Sequence, residues 1–377
     1  MVRTLNKKSN GIISRASPHT IKKFELVEKY IKDWAQKLMM SKYCEGLIFI
    51  DCMCNCGVYY DDMGELVDGT PVRVAEILRN VAGQYPQKKV FIHFNDHDQR
   101  KIKELQNHLP QDKNNFHIRL TTRDANELLE EIGSSLNQNP HLHFFLFYDP
   151  YDASINWDAL APFFKHWGEV LINHMISDPV RGAAQAKKAE AKNKYMNTYL
   201  MDVEELIPYG SNKEAYEKRL ESIVNTIRGK ASRDYYLSSF PFFNTTNAFM
   251  YDLVHCTSNV AGFKLFKSTA WKTFGGKSST KNTINSKQLE FLTSENMDAD
   301  FDVETDKNCY FVSDIAKYVQ QQFNGRQNVP YNEIWDLLDK HPVFPGESYR
   351  NEIKEILVRE YGAVKQRSSI SFSQRIY

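Results

Sequence analysis

Ile48-Phe49-Ile50-Asp51-Cys52-Met53-Cys54-Asn55-Cys56-Gly57 is an apolar run that stops on an acid and breaks into small residues and a glycine. A strand that ends this way leaves its loop backbone open to close approach by a ligand. The first strand of a nucleotide-binding α/β domain ends in this manner. Such loops usually carry two or three glycines, whereas Gly57 stands alone here. The stretch predicts a binding crevice at the carboxyl end of a parallel sheet.

The segments around it keep that rhythm. Upstream, Phe24, Leu26, Val27, Tyr30, Ile31, Trp34 and Leu38 recur at helical spacing within residues 18–42. Downstream, Asp68-Gly69-Thr70-Pro71 reads as a turn and helix start, with Thr70 as cap and Pro71 at the first helical position. Strands are predicted at 89–95, 115–120, 141–148 and 169–173, with helices at 99–108, 126–133 and 157–167 between them. The strand at 141–148 is almost continuously apolar, as in a strand buried on both faces. Strand and helix alternate with short connections, which predicts an α/β fold with a doubly wound, mostly parallel, Rossmann-like sheet.

Past residue 179 the chain turns helical and charged up to about 232, with 183–194 mostly Ala, Lys and Glu. This stretch is either a solvated insertion or a lid over the crevice. Two strands around a Thr-Thr-Asn turn, at 240–244 and 249–256, suggest an antiparallel pair at one sheet edge. Phe274 to Thr283 looks like a flexible break. The organisation expected is therefore an α/β domain over residues 1–273 and a second module over 285–377. The second module orders its elements helix, short strand, two helices and a terminal hairpin. That is a winged-helix-like sequence, used by nucleic-acid readers and by protein-docking units.

Acids fall at the carboxyl ends of the successive strands: Asp51, then Asp96 with Asp98, then Asp124, then Asp149. In an open α/β sheet these ends share one crevice. A carboxylate after the second strand can accept both hydroxyls of a ribose, and a side chain after the third can meet an adenine edge. Each acid also has a local alternative. Asp124 can cap the following helix, Asp96 can hold its own turn, and Asp51 can bind its loop amides. In Asp149-Pro150-Tyr151 the proline fixes the backbone, and the tyrosine offers a flat face for a base.

The chain has 377 residues, 42% apolar and 25% charged, values that exclude wholesale disorder. A net charge of +1 leaves any basic surface local. No apolar run has the length of a membrane span, and the first residues lack the apolar core of a secretory signal, so a soluble cytoplasmic protein with reduced thiols is expected. Cys52, Cys54 and Cys56 alternate along one stretch and have no second ligand pair elsewhere, so small residues filling a turn are favoured over a metal site.

These motifs together resemble the three-Cys-motif partner protein family, whose members look like class I S-adenosylmethionine-dependent methyltransferases. The resemblance runs over Lys22, Lys23, Tyr30 and Trp34, Ile50-Asp51, Gly57-Val58-Tyr59 and Asp68-Gly69-Thr70-Pro71. It continues through Asp149-Pro150-Tyr151, Ile172-Asn173 with Arg181, and residues 251–266. It implies S-adenosylmethionine as cofactor, held by Asp51, Cys52, Asn55, Gly57, Asp96, Asp124 and Ala125. Catalysis would involve Asp149, Pro150 and Tyr151, and no metal is implied. It also implies a separate three-cysteine partner protein, distinct from Cys52, Cys54 and Cys56. The chain is similar as well to adenine-N6 methyltransferases of nucleic acid, whose motif has Asp-Pro-Pro-Tyr where this chain has one proline fewer. In the first loop Asn55 stands where such enzymes usually have glycine, a place that Asn can fill with a left-handed backbone. Two other readings stay open: a non-enzymatic partner in a mobile-element or phage-defence cassette, and a Mg²⁺-dependent nuclease using the aspartates.

Overall fold

The computed structural model describes residues 11–136, 141–150, 154–175, 189–200, 213–282 and 309–375. It begins with helix α1 (Pro18–Met40) and strand β1 (Gly46–Asp51). A hairpin that the periodicity did not announce, β2 (Val58–Tyr60) and β3 (Leu66–Asp68), precedes α2 (Thr70–Gln84). Then follow β4 (Lys89–Asn95), α3 (Gln99–Gln106), β5 (Phe116–Thr121), α4 (Ala125–Ser135), β6 (Leu142–Tyr148), α5 (Trp157–Leu160) and β7 (Gly168–His174). After helices Ala189–Tyr199 and Lys213–Lys230 come β8 (Tyr236–Phe243) and β9 (Phe249–Thr257).

Seven strands form one sheet in the order β5-β4-β1-β6-β7-β9-β8. β5, β4, β1, β6 and β7 run parallel, and β9 runs antiparallel to β7. The chain winds outward from β1 through β4 to β5, then crosses to β6 and β7 on the other side. β1 is thus the switch point, and the crevice of a doubly wound sheet lies at its carboxyl end. The expected α/β, mostly parallel, Rossmann-like fold is what the chain adopts.

Side-chain alternation decides what each face buries. On one face Phe49 stacks on Phe145 with centroids 5.8 Å apart, and Tyr30 and Trp34 of α1 pack on that same Phe145 ring. On the other, Ile50, Leu146, Tyr148 and Ile172 meet Leu128, Leu129, Phe163 and Phe164. Tyr199, Ile223 and Ile227 join this second core. The helical insertion is therefore no solvated appendage in its described part: Thr198 accepts from the Trp157 indole at 2.9 Å, and its two helices supply core side chains. A buried polar knot secures α1, where Tyr30 donates to Glu169 and His255 lies 2.7 Å from the same carboxylate.

Three local expectations are corrected. Thr70 is the first residue of α2 and not its cap; Gly69 holds the cap position, with its N–H 2.7 Å from Gly57 O. A Cβ at Gly69 would meet the Tyr59 ring at 2.5 Å, so only glycine fits there. The helix expected over 157–167 stops at Leu160 and gives way to a 3₁₀ turn, because Pro162 cannot continue the α ladder. The supposed flexible break after Phe274 is packed in its described part. Ser278 and Ser279 are buried, and Ser278 N–H donates to Tyr310 O at 2.9 Å.

The chain forms two compact units, Met1–Leu237 with Tyr251–Phe263, and Ser238–Met250 with Lys264–Tyr377. In the second, helix Val312–Gln322 is followed by β10 (Val329–Pro330), helices Tyr331–Lys340 and Arg350–Tyr361, β11 (Val364–Lys365) and β12 (Ser369–Ser371). The three strands pair antiparallel in the order β10-β12-β11. The order of elements is the one the sequence led us to expect.

This unit contains an acid-sensitive joint. His341 stacks on Phe344 at 3.9 Å, and its Nδ1 accepts from the Val343 and Phe344 amides. Burial, then the Lys267 charge, pushes its pKa down to about 4. Between the unfolded value near 6.5 and that folded value, only the unfolded chain takes the proton, so stability falls as pH drops through this window. Urea titrations should show the second unit losing up to about 3 kcal/mol across it. His341→Gln should flatten the dependence; an equally steep profile in that variant would assign it to other groups.

Candidate functional site

The carboxyl ends of β1, β4 and β6 bring Asp51, Asp96 and Asp149 into one neighbourhood of the first unit. Asp51 ends β1 in register with Phe94 on one side and Phe147 on the other. The carboxyl group is buried and accepts the Met53 amide at 3.1 Å. Burial pushes its pKa well above the carboxylate range; the Asp149 charge adds to this, while the Met53 N–H and Lys23 oppose it. The environment thus favours a neutral Asp51.

The loop after Asp51 is held to the tip of β4. Cys54 N–H donates to Asn95 O at 3.0 Å, and Asn55 N–H donates to Asp96 Oδ2 at 3.0 Å. Asn55 has φ 59 and Gly57 φ 75, the left-handed backbone anticipated for this loop. A Cβ on Gly57 would strike Leu105 at 2.4 Å, so this glycine admits α3 against the loop. Cys52 and Met53 turn into the core cluster, together with Ala125. Burial raises the pKa of the Cys52 and Cys54 thiols, which disfavours the thiolate needed for metal binding or attack.

The acids of the next two loops have local duties. Asp96 is fully buried, accepting from Asn55 N–H through one oxygen and from Asp98 N–H through the other, at 2.9 Å. Lys101 Nζ lies 3.9 Å away. Asp124 caps α4, accepting from the amides of Asn126 and Glu127. Asn95 binds these loops to one another. Its amide donates to Cys52 O and Arg123 O, and its oxygen accepts from Thr121 and from Arg123 N–H.

Two residues at the tip of β6 were missed as site members. Lys23 of α1 is buried and places Nζ 2.7 Å from Asp149 Oδ2, with the Tyr251 ring at 5.2 Å and the Phe147 ring at 5.9 Å. Asn173, near the end of β7, donates through Nδ2 to Asp149 Oδ1. The Asn173 oxygen is buried without a hydrogen-bond partner. Both had a signal. Lys23 lies on the apolar stripe of α1, where a lysine requires a partner, and Asn173 obeys the strand-end rule that selected the aspartates. Pro150 is buried beside Asp149, while Tyr151 and Arg181 lie outside the described residues.

Asp51, Asp149, Lys23 and Asn173 form a polar cluster at the switch point, walled by Tyr251 and Phe147. Among the described residues no group of three or more His, Cys, Asp or Glu side chains has the arrangement of a metal site. No helix there is long and apolar enough to cross a membrane.

Comparison with solved structures returns remote likenesses. One is to a DUF519-family protein of Legionella pneumophila, 11% identical, covering 67% of this chain and 92% of that one, with a TM-score of 0.38. Another is to a candidate S-adenosylmethionine-dependent methyltransferase of Listeria monocytogenes, 9% identical over 61% of this chain and 99% of that one, with a TM-score of 0.31. A third is to loganic acid methyltransferase with SAH, 10% identical over 68% and 83%, again with a TM-score of 0.31. None of them assigns a function. No family profile matches the chain, and no curated protein matches it significantly.

Proposed function

We propose that the first unit binds S-adenosylmethionine at the switch point and methylates a nucleic-acid base or related amine beside Asp149. The observation that carries this reading is the acid pair Asp51 and Asp149 at the ends of neighbouring strands, with Lys23 as the cation that meets Asp149. A ligand bearing positive charge and N–H donors suits such a cluster, and the unpartnered oxygen of Asn173 adds an acceptor. Asp51 and the 52–57 loop would hold the cofactor. Asp96, whose oxygens accept the Asn55 and Asp98 amides, would offer a remaining lone pair to a ribose hydroxyl.

When bound, the cofactor supplies an electrophilic methyl group. Asp149 accepts a hydrogen bond from the acceptor nitrogen and orients its lone pair, Asn173 fixes the carboxylate, and Lys23 offsets its charge. A partnership with a separate three-cysteine protein belongs to the same proposal, supported by the sequence motifs and tested by co-purification.

A second reading is a binding protein that keeps the fold without turnover. It is favoured by Asp96 and Asp124, whose carboxylates already serve backbone amides. Titration calorimetry with S-adenosylmethionine separates the two. The methyltransferase reading expects saturable heat that is lost in Asp51→Asn. Because Asp51 favours its neutral form when free, a cationic ligand should expel its proton. Affinity should therefore rise with pH, and the heat should vary with buffer ionisation enthalpy. No heat at millimolar ligand would leave the binding-protein reading standing.

A further inference from the structure

One face of the second unit gathers cations around an aromatic pair. Helix Arg350–Tyr361 carries both signs of charge, but the helical period sorts them. At 100° per residue, Arg350, Asn351, Lys354, Val358 and Tyr361 share a sector of about 100°, while Glu352 and Glu355 fall outside it. Tyr331 and Trp335 of the preceding helix lie beside that sector, their rings nearly parallel at 6.2 Å. Lys354 Nζ sits 4.3 Å from the Tyr331 centroid and 5.5 Å from that of Trp335, and the Arg350 guanidinium lies 5.2 Å from Trp335.

The terminal hairpin extends this face. Residues 362–377 contain Lys365, Arg367 and Arg375 and no acidic side chain. Val364, Lys365, Gln366, Arg367 and Ser368 at the hairpin are all exposed. Ser368 O accepts from the Tyr331 amide and Gln366 O from the Tyr331 hydroxyl, so the hairpin tip is anchored beside the aromatic pair. Lys354, Lys365 and Arg367 make no ion pair among the described residues. Burial, followed by the charges of Lys365 and Arg350, lowers the Lys354 pKa. Arg350 has a carboxylate neighbour, Glu347 Oε1 at 3.8 Å.

We propose that this face, made by Arg350, Lys354, Lys365 and Arg367 over the Tyr331–Trp335 pair, binds the phosphodiester backbone of a nucleic acid. Unpaired cations on two neighbouring elements, one of them held in place by aromatic faces, match a line of phosphates. The side-chain donors Gln366, Ser368 and Asn351 on the same face suit phosphate and sugar oxygens. The proposal stands apart from the methyl-transfer reading, since the interaction needs no cofactor.

Fluorescence anisotropy of the full chain with labelled mixed-sequence oligonucleotides, single- and double-stranded, tests it in the absence of S-adenosylmethionine. Affinity should fall with salt. The double variant Lys365→Glu with Arg367→Glu, both exposed, should weaken binding by about tenfold or more and reduce the log–log salt slope by about 2. Arg350→Gln with Lys354→Gln should act in the same direction, with circular dichroism and thermal melts establishing that both variants fold. Unchanged affinity and slope in the folded variants would overturn the proposal. So would competition by polyglutamate as strong as that by unlabelled oligonucleotide, which would assign the face to an acidic protein. Loss of calorimetric cofactor binding would leave the anisotropy result untouched, so the two readings fail separately.

Discussion

Asn95→Leu should lower the unfolding free energy of the first unit by roughly 4 kcal/mol and abolish any ligand binding at the switch point. Asn95 is fully buried and uses all the hydrogen-bonding capacity of a carboxamide. Its two N–H bonds reach Cys52 O and Arg123 O at 3.0 Å, and its oxygen accepts from Thr121 at 2.8 Å and Arg123 N–H at 2.9 Å. Leucine would nearly fill the volume but strand four polar partners, and a stranded buried group costs about 1–3 kcal/mol. Thr121→Val removes one of the four bonds together with the Thr121–His93 hydrogen bond at 3.0 Å, and should cost about 2 kcal/mol. Urea denaturation read by tryptophan fluorescence compares the two variants. A loss below about 1 kcal/mol for Asn95→Leu would mean that the loops after β1, β4 and β5 are held by other contacts.

The strands were legible because their burial is two-sided: residues 142–148 are almost all apolar, and such a run has few alternatives to a central strand. The hairpin β2–β3 was not legible. Its strands have three residues each and are part-exposed, so they carry no periodicity to read. Asn95 was read only as the last residue of the strand at 89–95, with no partner assigned to its side chain. Its real partners, Cys52 and Arg123, are distant in sequence and become neighbours only through the parallel pairing of β1, β4 and β5.

The same distance explains the site. The acids could be named because strand ends converge by topology, and Asp51, Asp96 and Asp149 do gather around β1. Their duties could not be named. A capping carboxylate and a ligand-facing one look alike in sequence, and Asp124 spends its Oδ1 on two amides of the first turn of α4. Lys23 and Asp149 are separated by 126 positions, so the charge balance of the cluster is a tertiary property. A lysine on the buried stripe of a helix signals that a partner exists without saying which.

Lys267→Met should destabilise the second unit by about 3 kcal/mol near neutral pH, and by more as pH rises. Lys267 is fully buried, and its ammonium donates to Leu338 O at 3.1 Å, Asp339 O at 3.0 Å and His341 O at 2.6 Å. These carbonyls close the end of helix Tyr331–Lys340, where the ladder leaves acceptors unfilled and the helix dipole favours a cation. Burial pushes the Lys267 pKa down to about 7; the nearby Asp339 carboxylate opposes this, and Lys264 adds to it. The sign follows from proton counting. Below the folded value both states hold the proton, and the burial penalty is present in full. Between the folded value and about 10.4 only the unfolded chain holds it, so stability rises with pH through that window. Methionine has no proton to lose. The gap between the native chain and Lys267→Met should therefore widen by about 2 kcal/mol from about pH 7 to about pH 9. Parallel urea titrations at the two pH values measure this directly. A gap that stays constant instead would mean that the three carbonyls keep the ammonium charged throughout the range.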